Sequence, residues 1–318
     1  MKLKAGHKYT LLLGLVITAV VLCTLPFLAT KKEVIYIYTE SPVPLSKEEG
    51  FIRELQRIGI KTIVNADKMP QKEDIGFWFK NPEYAKVIEK SPAKYNFLYT
   101  EAYYPIEWKN STKQPIILTP YRELYEHYMR SNIKTAMITL GLNTADFYDK
   151  RQDKKYSLLY YGDNNKSSPL NKELKEKYNP KILGSFWDKK ENINIIDNGL
   201  PKTRHQALSE AKIVIIYNEP HAPASKRISQ EIMEAVMSGA LVFSSPNKAV
   251  SELYGENIII YDNQEDLMQK LAYYLAHYDK IKDKIISAQK VTLEKLSTSI
   301  TAQRVKEIID WLKNNKKN

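Results

Sequence analysis

The chain has 318 residues, a net charge of +11 at pH 7, 43% hydrophobic residues and 27% charged ones. Its one cysteine, Cys23, lies in an apolar run near the start, so the rest of the chain carries no disulfide framework, and with no Cys/His cluster or Asp-x-Asp signature nothing suggests a bound metal or cofactor. The positive charge is spread along the chain, with neither zinc-ligand spacing nor stacking aromatics among basic residues, so nucleic acid ranks low as a partner and anionic headgroups or phosphate-bearing ligands rank high.

Residues 1–8 form a basic tail with Lys2, Lys4 and Lys8, and residues 9–29 are uncharged throughout. As a helix this run spans the roughly 30 Å hydrocarbon core of a bilayer, and Pro26 sits near its exit, where a kink costs little. A cleaved signal peptide is the alternative. The run is longer than the usual h-region of about 7–15 residues, however, and Phe27-Leu28-Ala29 is a poor small-x-small cleavage site. A single uncleaved transmembrane anchor is expected. Three lysines precede it, whereas Lys31 and Lys32 follow with Glu33, so the charge bias leans towards a cytoplasmic N-terminus. The body then lies across the membrane, in a type II, Golgi-like arrangement, or on the cytoplasmic face if the host is bacterial.

After the anchor, short β-branched and aromatic runs alternate with helical stretches. Strands are expected at 34–38, 61–65, 75–79, 95–99, 115–119 and 135–140, with helices at 47–58, 82–90 and 121–129. Residues 141–153 combine turn chemistry with mixed charge and read as a linker. A second series follows: strands at 156–161, 181–183, 193–196, 213–217, 241–245 and 258–261, helices at 170–178, 202–211 and 227–238, then helix to residue 312 and a basic tail, 313–318. Such alternation implies parallel sheets covered on both faces. The expected fold is α/β: two Rossmann-like domains, 34–140 and 154–312, behind a single N-terminal transmembrane helix, with ligands at the C-terminal ends of strands.

The segment 213–245 carries the most chemistry. A buried strand runs into a polar loop, 218–225, and then a helix on which Arg227, Glu231, Glu234 and Ser238 fall on one polar stripe before Gly239 ends it. Free N–H groups at the helix start, with Asn218, Ser225, Lys226 and Arg227, suit a phosphate or diphosphate. Glu234, further along, suits ribose hydroxyls. The same residues also read as a surface helix with an ordinary i,i+4 Arg–Glu pair.

The segment Glu234-Ala-Val-Met-Ser-Gly239-Ala-Leu-Val, after an apolar strand and a Ser/Arg-bearing loop, resembles the nucleotide-sugar site of GT-B glycosyltransferases, and more narrowly of the "glycosyl transferases group 1" superfamily. Leu158-Leu-Tyr-Tyr-Gly162 is similar to the first donor-domain strand and glycine turn of that superfamily. The stretch from Ile117-Leu-Thr-Pro-Tyr-Arg-Glu123 to Thr139-Leu-Gly-Leu-Asn143-Thr-Ala-Asp-Phe147 is similar to its crossing between domains, and residues 258–275 to its last strand and following helix. The resemblance implies a glycosyltransferase of metal-independent type whose donor is bound by Gly162, Asn218, Ser225, Lys226, Arg227, Glu231 and Glu234. Glu234 then meets the ribose, and Lys226 and Arg227 neutralise the diphosphate. The acceptor is a glycan, a lipid or a protein.

Departures from the family pattern are also legible. Many retaining members carry a glutamate eight residues before the second one, and here that position is Lys226. The loop Glu40-Ser41-Pro42-Val43-Pro44 has no glycine, where most members have a Gly-rich turn. These departures motivate an alternative, a catalytically inactive GT-B module acting as a membrane-tethered partner in a glycan-assembly complex. For an inverting reaction the base is expected from Glu40 or Glu101, each just after a strand, or from His221 in the 218–225 loop.

Overall fold

The structure, a computed structural model, describes residues 34–40, 46–79, 84–101, 114–149, 153–163, 168–184, 187, 194–196, 201–217 and 228–315. The expected anchor, residues 9–29, lies outside them. Among the described residues no helix is long and apolar enough to cross a membrane.

Six parallel strands build the first sheet: β1 (Val34–Tyr38), β2 (Lys61–Val64), β3 (Ile75–Phe79), β4 (Tyr95–Tyr99), β5 (Ile116–Thr119) and β6 (Thr135–Met137), in the order β2-β1-β3-β4-β5-β6. Both β3 and β4 are buried at every position. This is why they read as continuous apolar runs rather than as alternating ones. Helices α1 (Lys47–Arg57), α2 (Tyr84–Lys90) and α3 (Arg122–Arg130) cover the sheet. Ser46 starts α1 by accepting a hydrogen bond from the Glu49 amide at 3.1 Å, and Phe51 and Leu55 on its inner face are fully buried. The order in which strands are added reverses between β1 and β3, which makes that crevice the first unit's topological switch point.

The second sheet is also parallel. Its strands are β7 (Tyr156–Tyr161), β8 (Lys181–Leu183), β9 (Asn194–Ile196), β10 (Ala211–Ile216), β11 (Leu241–Ser244) and β12 (Ile259–Ile260), ordered β12-β11-β10-β7-β8-β9. Numbered within the unit this is 3-2-1-4-5-6, and its switch point lies between β7 and β10. Helices α4 (Lys172–Tyr178), α5 (Pro201–Ser209), α6 (Gln230–Met237), α7 (Lys248–Tyr254), α8 (Gln264–Ala276) and α9 (Lys282–Leu296) surround it.

The last helix, α10 (Thr298–Asn314), corrects the expected domain boundary. Sequence places it in the second unit, yet its buried face of Ala302, Val305, Ile309 and Leu312 packs into the core of the first, with Phe51, Phe77 and Phe97. The Tyr95 hydroxyl donates to the Leu312 carbonyl at 3.0 Å. The apolar stripe is plain in the sequence, but a stripe does not say which sheet it faces. The expected basic tail accordingly starts later than residue 313, because the helix runs to Asn314.

The 141–153 segment is expected as a polar linker, and its first residues are instead buried and bonded, while Ala145, Tyr148, Asp149 and Asp153 are exposed. Leu142, Asn143 and Phe147 are each 3% exposed or less. The Leu142 amide donates to the Leu296 carbonyl at 2.7 Å and the Thr298 amide to the Leu142 carbonyl at 2.9 Å, so the outgoing and returning crossings lie side by side. A Cβ at Gly141 would collide with the backbone of Leu296 and Ser297. Asn143 also accepts a hydrogen bond from Arg53 of α1 at 3.0 Å.

Candidate functional site

The switch-point rule directs attention to the C-terminal ends of β7 and β10. Successive residues of β7 point to opposite faces of the sheet, so Tyr160 joins the core under α4 and α8 while Tyr161 joins the core under α5 and α6. On that second face the Tyr161 hydroxyl donates to Glu234 Oε2 at 2.8 Å.

Glu234 is 1% exposed. Its carboxylate accepts three further hydrogen bonds: from Gln230 Nε2 at 2.7 Å, Arg204 Nε at 3.3 Å and Arg204 Nη2 at 3.4 Å. An isolated carboxylate at this depth is strongly unfavourable, and these donors are what make the charge tolerable. The opposing influences are visible in its titration. Burial raises the Glu234 pKa above the ordinary carboxylate value, while Arg204, Gln230 and Tyr161 act to lower it. Tyr161 is pushed well above its ordinary value, first by burial and then by the adjacent carboxylate.

The helix carrying Glu234 differs from the expected one. It begins at Gln230 rather than at residue 227, because Ser229 caps it and accepts from the Ile232 amide at 3.4 Å. Glu234 and Ser238 do not form a solvated stripe, since both are buried. The ion-pair partner of Glu234 is Arg204 of α5, so this carboxylate is not on an exposed helix face, while the i,i+4 pairing of Arg227 with Glu231 involves a residue outside the described ones. Arg204 was not apparent in the sequence as a site residue. Glu231 is half-buried, two turns before Ser238, which caps the same helix. Gly239, at φ +77°, ends the helix, and a Cβ there would lie 2.6 Å from the Asp149 carboxyl.

Gly162 follows β7 directly, and its amide donates to the Leu183 carbonyl at 3.0 Å. Its own carbonyl accepts from Trp187 Nε1 at 2.9 Å, and Trp187 packs edge-on against Tyr160 at 5.7 Å. The glycine turn therefore sits between the ends of β7 and β8, beside the switch point. Asn218, His221, Ser225, Lys226 and Arg227 lie outside the described residues.

In the first unit Glu40 follows β1 at the other switch point and is exposed. It is close enough to contribute, after burial, to raising the Tyr84 pKa. Glu101, after β4, is differently placed. It pairs with Lys47 at 2.9 Å and accepts from the Tyr99 hydroxyl at 3.1 Å. His205 of α5 is buried against Phe147 and Tyr148, with Nε2 2.7 Å from the Tyr148 carbonyl oxygen. It holds the crossing segment in place. Among the described residues no group of three or more His, Cys, Asp or Glu side chains could hold a metal ion.

With this geometry in view, the comparisons are consistent. Residues 167–310 match a family described as glycosyl transferase-like. No curated protein matches the chain. Its fold is similar to that of a glycosyltransferase from Rickettsia africae ESF-5, at 14% identity over 88% of this chain and 98% of that one, with a TM-score of 0.57. It is also similar to the DNA modifying enzyme β-glucosyltransferase, at 12% identity over 87% and 99%, with a TM-score of 0.61. Anabaena HepE in complex with UDP-glucose aligns at 8% identity over 87% and 99%, with a TM-score of 0.53. At such identities these neighbours define the fold, which is the two-unit GT-B type. The matched segment lies within the second unit and its returning helix, and there the resemblance to the glycosyl transferases group 1 superfamily is upheld.

Proposed function

We propose that the protein is a membrane-anchored glycosyltransferase that moves a sugar from a nucleotide-sugar donor to a glycan, lipid or protein acceptor. The observation that carries this reading is the carboxylate of Glu234, held by four hydrogen bonds beneath the β7/β10 switch point, within the segment that matches the glycosyl transferase-like family. In this reading the ribose hydroxyls exchange with one of the present donors to Glu234. Asn218, Ser225, Lys226 and Arg227 supply donors and positive charge to the diphosphate as the bond to the sugar breaks, so that the leaving group is stabilised without a metal. Gly162 leaves room for the sugar phosphates, and Glu231 flanks the ribose side. Glu40 is the stronger of the two described candidates for the base, because Lys47 already neutralises Glu101. His221 is the third candidate. Residues 9–29 form the anchor.

The conservative variant Glu234→Gln keeps the shape of the site and two of the four accepted hydrogen bonds, because the amide nitrogen cannot accept. It should lower donor turnover by at least about 100-fold while the protein remains folded, as a loss of transition-state positioning of about 3 kcal/mol would produce. Wild-type turnover with a UDP- or GDP-sugar in that variant refutes the assignment. A second reading, an inactive GT-B module serving as a tethered partner, is favoured by one feature: Arg204 already occupies both oxygens of Glu234. Thermal shift against a panel of nucleoside diphosphates and their sugars separates the two readings, since a transferase is stabilised by at least one of them and the inactive module by none.

A further inference from the structure

Because all strands of the first sheet are parallel, one edge of that unit collects their N-terminal ends together with the C-terminal ends of the helices that return to them. The register defines this edge: Val34 lies beside Lys61, Ile75 beside Tyr95, and Ile117 beside Thr135. The edge is markedly basic. Lys61 opens β2, Lys94 precedes β4 and Lys134 precedes β6, while Lys90 and Arg130 end α2 and α3 and Lys72 sits in the turn before β3. All but Lys94 are exposed. The acidic residues there offset little of this charge. Asp74 is buried and accepts from the Gln71 amide, and the exposed carboxylates of these turns are Glu73, 4.0 Å from Lys94, and Glu89 near the end of α2.

The same edge receives the chain from the apolar run. Only Thr30, Lys31, Lys32 and Glu33 separate Ala29 from Val34, and a fully extended stretch of that length reaches about 18 Å at most. An anchor ending at Ala29 therefore holds this edge, and not the opposite one, next to the bilayer.

We infer that the basic N-terminal-strand edge of the first unit lies against an anionic bilayer surface, with the C-terminal strand ends of that sheet turned away from the lipid. The inference rests on residues 9–29 being the anchor. The occupant is fixed by the short tether and by charge complementarity, since each cation near an anionic leaflet contributes about five-fold to association. The two described candidate bases, Glu40 and Glu101, follow the other ends of the strands, so the site stays open to acceptor while the body is held flat.

The test uses the full chain with Cys23→Ser, reconstituted in vesicles of phosphatidylcholine alone or with phosphatidylglycerol added. Single cysteines are introduced as Lys61→Cys and Lys134→Cys at the basic edge, and as Lys68→Cys near the Tyr38 hydroxyl at the opposite edge. Reaction with a water-soluble maleimide should slow at least five-fold at the first two positions when phosphatidylglycerol is present, and stay unchanged at the third. Added Lys90→Glu and Arg130→Glu, or about 1 M salt, should abolish the difference. Equal rates in both lipids overturn the inference, as does slowing at Lys68→Cys. An alkaline carbonate wash distinguishes the two levels of failure. A chain that washes off refutes the anchor and the inference with it, whereas a chain that stays but shows equal rates refutes the docking alone.

Discussion

The first unit is lined by aromatic rings, with Phe51 5.1 Å from Phe77 and Phe77 4.9 Å from Phe79, and the glutamates at its C-terminal edge are exposed or paired with a lysine. The second unit, built on the same kind of sheet, shuts a carboxylate away from water beneath the equivalent edge and pairs it with a guanidinium that is 16% exposed. Stability and chemistry are thus divided differently. In the first unit the core can be altered without touching the candidate base, whereas in the second the residue expected to meet the donor is also part of the core.

The largest expected effect tests which unit owns the last helix. Ending the chain after Leu296 removes α10, whose buried Val305, Ile309 and Leu312 contribute about 1.5–3 kcal/mol each. Limited proteolysis should then cut the first sheet and spare the second, and the opposite pattern would return α10 to the second unit. Next in size is a contrast between the two ion pairs. Arg204→Ala strands Glu234 without its charged partner and should cost about 3–5 kcal/mol by chemical denaturation. Lys47→Ala, at a part-buried pair whose carboxylate keeps 23% of its surface in solvent, should cost less, about 1 kcal/mol. Similar losses at both sites would erase the distinction between the units. Gly141→Ala forces the paired crossings apart and should cost about 1–3 kcal/mol, with hydrogen exchange accelerating at Leu142 and Thr298.

The smallest effect is in pH dependence, and its sign differs between two glutamates of the second unit. Glu234 has a raised pKa in the folded protein, so the folded state holds its proton more tightly than the unfolded one, and stability falls as pH rises from about 4.5 through the raised value. Burial also acts on Glu210, but hydrogen bonds from Lys155 and Gln206 outweigh it and depress its pKa. Its contribution is therefore present above 4.5 and is lost as pH falls below. Thermal melts across this range should show that Glu234→Gln removes the decline on the upper side, while Glu210→Gln removes the loss on the lower.

Much of the architecture was legible in the residues. The runs 34–38, 75–79, 95–99, 156–161 and 181–183 are strands with the expected ends, because buried parallel strands are continuous apolar segments bounded by turn residues. Strand β6 is shorter than expected, since beyond Met137 the chain leaves the sheet for the crossing and the Leu140 amide bonds to the Tyr99 hydroxyl. Glu234 was recognisable as a site residue through its resemblance to a family motif, although its burial was not anticipated. One signal was available: the helix from Ile232 to Met237 is apolar on nearly all sides, which marks a buried helix rather than a surface one. Arg204 left no local trace. It meets Glu234 across 30 residues of sequence, and no periodicity connects two helices that face each other only after the sheet has formed.

The position of α10 also has a consequence for the order of events during synthesis. A polypeptide leaves the ribosome from its N-terminus, and domains ordinarily fold as they emerge. Here the first sheet is complete by Met137, yet the last part of its cover lies between Ala302 and Leu312. The nascent first unit therefore waits, with part of its aromatic core uncovered, until nearly the whole chain has been made, and the second unit can mature ahead of it.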